Sequence, residues 1–141
     1  MQPSTKNGFI LIELLLVVVI IGVLPAFALP QYAQTKQRGQ RGAGIADLHT
    51  LLMAQERFDT STGRYETGRY GGIADAAALR TRRSPGNGPL DITLSGAPAG
   101  STGYAATIVI PGAETCGVYA GGAPRPLGMA ADTPASTSVC W

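Results

Sequence analysis

The sequence predicts an α+β chain in which a long hydrophobic N-terminal helix precedes and packs against a small antiparallel sheet. Three observations carry that prediction. Residues 9–29, FILIELLLVVVIIGVLPAFAL, form one apolar run with a single charge. Between Ile45 and Phe58, apolar residues recur at steps of three and four. After residue 89 the pattern changes to short alternating segments punctuated by Gly and Pro. Strands that follow a helix imply a sheet laid on that helix.

The 141 residues leave room for one folded domain plus a membrane segment. Hydrophobic residues make up 45% and charged residues 14% of the chain, and much of the apolar excess is concentrated in residues 9–29. A helix of that length is about 31 Å long, which matches the hydrocarbon thickness of a bilayer. Glu13 is its one charge. It sits near the start of the run, where the helix dipole favours a negative group and the cost of a carboxylate in lipid is lowest.

Three readings compete for this segment. Ala26-Phe27-Ala28 has the small-x-small form of a secretory cleavage site, but the run is longer than a usual signal core and Glu13 interrupts its beginning. An ordinary membrane anchor explains the length and leaves Glu13 without a role. The third reading is a resemblance. Gly8-Phe9-Ile10-Leu11-Ile12-Glu13, preceded by Lys6 and followed by an apolar stretch through Gly22 to Pro30-Gln31-Tyr32, resembles the prepilin motif of the type IV pilin family.

That resemblance implies a leader of residues 1–8, cut between Gly8 and Phe9 by a prepilin peptidase that also methylates the new amino group of Phe9. It implies a subunit held in the inner membrane by residues 9–29, with its C-terminus periplasmic, and later built into an extracellular pilus with other pilin subunits by an assembly machinery. The positive-inside count, Lys6 against Lys36, Arg38 and Arg41, points the other way; leader processing on the cytoplasmic side overrules it. Glu13 has a physical rationale of its own. It lies four residues beyond Phe9, on the same helix face, and can neutralise the ammonium of its own or a neighbouring helix. Such pairing would fix the axial register of one subunit on the next.

Beyond the apolar run, residues 30–59 are expected to form an amphipathic helix whose stripe is Ile45, Leu48, Leu51, Leu52, Gln55 and Phe58. Pro30 should kink the rod and Pro25 should break it one turn earlier. Gly39, Gly42 and Gly44 weaken the helix and suggest a flexible joint. Residues 60–89 read as a helix-to-sheet loop, with one added helical turn from Ala74 to Leu79. Residues 90–141 hold strands at Leu90–Leu94, Tyr104–Ile110 and Thr115–Tyr119, then a weakly patterned tail.

Cys116 and Cys140 are the only cysteines. In an exported domain they form one disulfide, in a cytosolic one two thiols, and the membrane segment favours export. A closed C-terminal loop of this kind resembles that of many pilins, and Cys140-Trp141 resembles the ending of some minor, assembly-promoting pilins. A type II secretion pseudopilin shares the N-terminal features and stays an alternative.

The net charge of +2 is too small to imply a nucleic-acid partner by itself. Arg80, Arg82 and Arg83 form one local cluster, and Arg64-Tyr65 and Arg69-Tyr70 make a short repeat. Both suit solvated or packed loops. Both also suit phosphates and bases, which would make the head a DNA-binding one serving DNA uptake. His49, the one histidine, has no ligand set around it in sequence. No catalytic constellation is present, so neither enzymatic activity nor a cofactor or metal is expected.

Overall fold

A computed structural model describes residues 11–70, 79–95, 102–112 and 114–141. The cleavage-site residues Gly8 and Phe9, and the helical turn expected from Ala74 onward except Leu79, lie outside the described residues. The chain divides into two units, Met1–Lys36 and Gln37–Trp141.

One helix, α1 (Leu11–Thr62), runs through both prolines. The break expected at Pro25 is therefore absent from the helical backbone. A proline deletes one N–H, here leaving the carbonyls of Ile21 and Ala26 without their helical donor. The Leu, Val, Ile and Ala residues on either side keep the helical pattern. Its end has local causes. Thr60 and Thr62 donate their hydroxyls to the carbonyls of Glu56 and Phe58, at 2.8 and 2.7 Å. Gly63 then adopts φ 69°, and its N–H donates to Asp59 O at 2.7 Å, the left-handed cap that stops a helix. The helix therefore ends three residues past the expected Asp59.

In the second unit five strands follow: β1 (Gly68–Tyr70), β2 (Leu90–Ser95), β3 (Gly103–Ile110), β4 (Glu114–Gly121) and β5 (Val139–Cys140). They form an antiparallel meander in chain order. The register puts Leu90 opposite Ile108, Ile92 opposite Ala106 and Leu94 opposite Tyr104, then Ala106 opposite Val118 and Ile108 opposite Cys116. Because side chains alternate across a sheet, these residues share one face. Leu48 and Leu51 of α1 join them in a single core. The apolar stripe expected on the helix is thus the stripe that packs.

Two parts of that expectation need amendment. The stretch read as a loop contains β1, which pairs residue for residue with Leu90–Ile92; three residues are too few to show alternation. The triplet of glycines is helical throughout, and Gly44 has a packing role instead of a hinge role. A Cβ there would come within 2.9 Å of Ile110 Cδ1, whereas Gly39 and Gly42 face open space.

Gln55, the polar member of the stripe, is fully buried. Its Nε2 donates to Glu66 O at 2.7 Å, and its Oε1 accepts from Glu66 N at 2.9 Å. The amide thereby acts as a one-residue strand that ties the chain leading into β1 back to the helix. Replacing it by leucine keeps the bulk and strands both backbone groups, so Gln55→Leu is expected to destabilise the head by about 1–3 kcal/mol in denaturant titrations.

Tyr104 is fully buried on the inner row, its ring tilted 50° against Tyr65 at 5.1 Å between centroids. Its hydroxyl has no hydrogen-bond partner among the described residues. Burial first, then the charge of Glu56 and the neighbouring Tyr65, push its ionisation well above the usual tyrosine range. The folded state holds this proton more tightly than the unfolded chain does. The contribution is therefore intact below the unfolded pKa, about 10, and is lost as pH rises above it. Tyr104→Phe is expected to leave stability at neutral pH within about 1 kcal/mol and to blunt the alkaline loss. Thermal melts of both proteins from pH 7 to 11 measure this.

Candidate functional site

In the first unit, α1 is exposed on every side over residues 11–36. The large apolar side chains from Leu11 to Leu29 all point into open space, Phe27 at 71% exposure. A helix that is apolar all round belongs in lipid or among other helices. Among the described residues, α1 is the one helix long and apolar enough to cross a membrane. Glu13 stands in its first described turn, exposed, the only charge from Leu11 to Leu29.

In the second unit, Asp47 is buried in the helix face and reaches across the sequence to Ser84. Its two carboxylate oxygens accept from Ser84 N at 2.8 Å and Ser84 Oγ at 2.7 Å. This pair of hydrogen bonds ties down the segment before β2, where Arg80, Arg82 and Arg83 border one open cleft of about 600 Å³ together with Asp47, Thr50 and Pro85. Arg80 takes φ 53°, a left-handed conformation unusual for a residue with a Cβ. It also borders a neighbouring cleft with Arg57 of the helix. Arg57 escaped sequence reasoning because it is more than 20 residues from the cluster; only the fold makes them neighbours. Neither Arg82 nor Arg83 is without a partner inside the protein.

The Arg-Tyr repeat serves packing. Tyr65 and Tyr70 lie against the core, and Arg69 Nε pairs with Asp91 at 3.4 Å. His49 is exposed on the helix, and no group of three metal-ligating side chains occurs among the described residues.

At the other end of the sheet, Cys116 and Cys140 are joined by a disulfide. They face each other directly across β4 and β5. The neighbouring pair, Thr115 and Trp141, exchanges both backbone hydrogen bonds, at 3.0 and 2.9 Å. The cysteines therefore occupy the non-hydrogen-bonded position, where opposite side chains come closest. The intervening tail folds back on β4: Tyr119 Oη donates to Thr133 O, and Ser136 N to Tyr119 O, both at 2.7 Å.

Comparison with known proteins gives the context. The chain is 33% identical over 117 residues to a type IV major fimbrial protein FimA of Dichelobacter nodosus, covering 70% of this chain and 73% of that one. It is 40% identical over 60 residues to the type IV major pilin protein PilA of Myxococcus xanthus, 43% of this chain and 27% of that one. It is 28% identical over 71 residues to the type II secretion system core protein G of Aeromonas hydrophila, 50% of each. The chain thus spans half or less of the length of the latter two relatives. No family model matches. No solved structure matches. The FimA relative is aligned over most of both chains, and in the second unit the later part of α1 is laid on a small antiparallel sheet; the chain belongs to the type IV pilin family.

Proposed function

We propose that this protein is a structural subunit of a type IV pilus, a minor pilin that promotes filament assembly and enters the filament through α1. The observation that carries the reading is the helix exposed on all sides from residue 11 to residue 36, with Glu13 as the lone charge of its apolar part. Such a surface has two stable settings, lipid and a bundle of like helices. The subunit waits in the inner membrane, is cut between Gly8 and Phe9 by a prepilin peptidase, and is methylated at Phe9. The assembly machinery then moves it into the bundle. There the Phe9 ammonium and a neighbour's Glu13 neutralise each other where dielectric is low, so that only one axial register leaves no charge unpaired. The abundance of the chain in sheared filaments tests the minor role.

The expected outcomes are specific. Mass spectrometry of the mature chain should find N-methyl-Phe9 at its start, and Gly8→Val should leave uncut precursor. Glu13→Ala should be processed normally yet be incorporated into filaments at least about a hundredfold less, since one unpaired buried charge costs about 3–5 kcal/mol. Normal incorporation of that variant would refute the pairing.

Two further readings rest on particular observations. The likeness to a type II secretion core protein supports a pseudopilin. The convergence of Arg80, Arg82 and Arg83 on one cleft, with Arg57 beside it, supports a head that contacts nucleic-acid phosphates in DNA uptake. For the latter, gel shifts with double-stranded DNA should weaken steeply with salt, and Arg57→Ala with Arg80→Ala should lower the salt slope by about 2. Binding that is insensitive to salt, or absent at low salt, would exclude it.

A further inference from the structure

The chain has two asparagines, Asn7 and Asn87, and each precedes a glycine. Asn87 lies among the described residues, at the end of a turn that leads from the basic segment into β2. Pro85 followed by Gly86 at φ 89° are the residue types a type II turn takes. Asn87 N donates to Ser84 O at 3.5 Å. The turn is held at its start by the two bonds from Ser84 to Asp47. At its end, Gly88 N donates to Val109 O of β3. A Cβ at position 88 would stand 2.7 Å from that oxygen, so only glycine fits after Asn87.

The Asn87 side chain is 5% exposed. Its Nδ2 lies 3.6 Å from where a Cβ on Gly44 of α1 would be. Neither Nδ2 nor Oδ1 has a hydrogen-bond partner among the described residues. The amide is therefore dry and unsupported, a state that weakens a fold.

Asparagine before glycine is prone to spontaneous deamidation, because no side chain crowds the attacking nitrogen. The Gly88 nitrogen gives its proton to hydroxide and forms a bond to Asn87 Cγ. The Cγ–Nδ2 bond breaks, and that nitrogen leaves as ammonia with a proton from water. Water then opens the five-membered imide to aspartate or its isoaspartyl isomer. In the fold this step is blocked twice: the Gly88 N–H is engaged by Val109 O, and burial denies hydroxide and water to the amide.

We propose that Asn87-Gly88 is a latent modification site, closed while the turn sits on Val109 and deamidated once the turn lifts away. The product places a carboxylate beside Gly44 with no cation among its described neighbours, which opposes reclosing. A head that has stayed open for long is thereby marked irreversibly.

The full-length chain in dodecylphosphocholine micelles is kept at mildly alkaline pH, in native buffer and in concentrated urea. Peptides carrying Asn87 are weighed over time, and digestion separates them from those carrying Asn7. Conversion, read as a gain of one mass unit, should be at least about a hundredfold slower in native buffer, because only the open fraction reacts. Ser84→Ala removes one of the two bonds that hold the turn. It should raise the native rate about fivefold and leave the rate in urea unchanged. Asn87→Asp should lower the melting temperature at neutral pH. Should Ser84→Ala melt early, the ratio of native to urea rates in the unaltered chain decides by itself. Equal rates in the two solvents, no conversion in urea, a folded Ser84→Ala chain no faster than the unaltered one, or an Asn87→Asp chain that melts like the unaltered one would overturn the proposal.

Discussion

The head is organised by one steric requirement: the apolar stripe of a helix and the apolar face of a sheet must fit against each other. On the sheet side, Leu90, Ile92, Tyr104, Ala106, Ile108 and Val118 supply the inner row through a register in which each inward residue faces another. On the helix side, Leu48 and Leu51 fill it, and Gly44 lets Ile110 approach the helical backbone. A one-residue slip in any strand would turn this row to solvent. Everything else in the second unit is attached to the margins of that contact: the basic segment through Asp47, the entry to β1 through Gln55, and the tail through Cys116.

The two buried polar residues of the helix show how such attachment is made. Each spends both of its oxygen or amide groups on one distant backbone segment, Gln55 on Glu66 and Asp47 on Ser84. Buried polar atoms that are fully paired specify a unique arrangement, because every alternative leaves them unpaired. They convert a generic apolar stripe into an address for two connecting segments that have little regular structure among their described residues.

Much of this fold is legible in the sequence wherever a pattern is long enough to repeat. The stripe from Ile45 to Phe58, the alternation in β2 and the run of β-forming residues in β3 are such patterns, and the helical stripe names core residues directly. The rest depends on partners far away in the chain. β1 and β5 have three and two residues and exist because β2 and β4 offer them an edge. The burial of Asp47 follows from Ser84, 37 residues on. Arg57 joins Arg80 only when the loop returns to the helix. Gly44, Gly117 and Gly128 look like ordinary weak points in sequence; the large side chains that occupy their missing Cβ positions are what explain them.

The cross-strand disulfide has a mechanical consequence. The two cysteines are 24 positions apart in sequence, and the chain between them, if drawn out, would span about 80 Å. With the bond intact that length cannot pay out under tension. A pull on the terminal strand is transmitted straight into β4 and the middle of the sheet, so the tail of the head behaves as a short inextensible link rather than a slack tether.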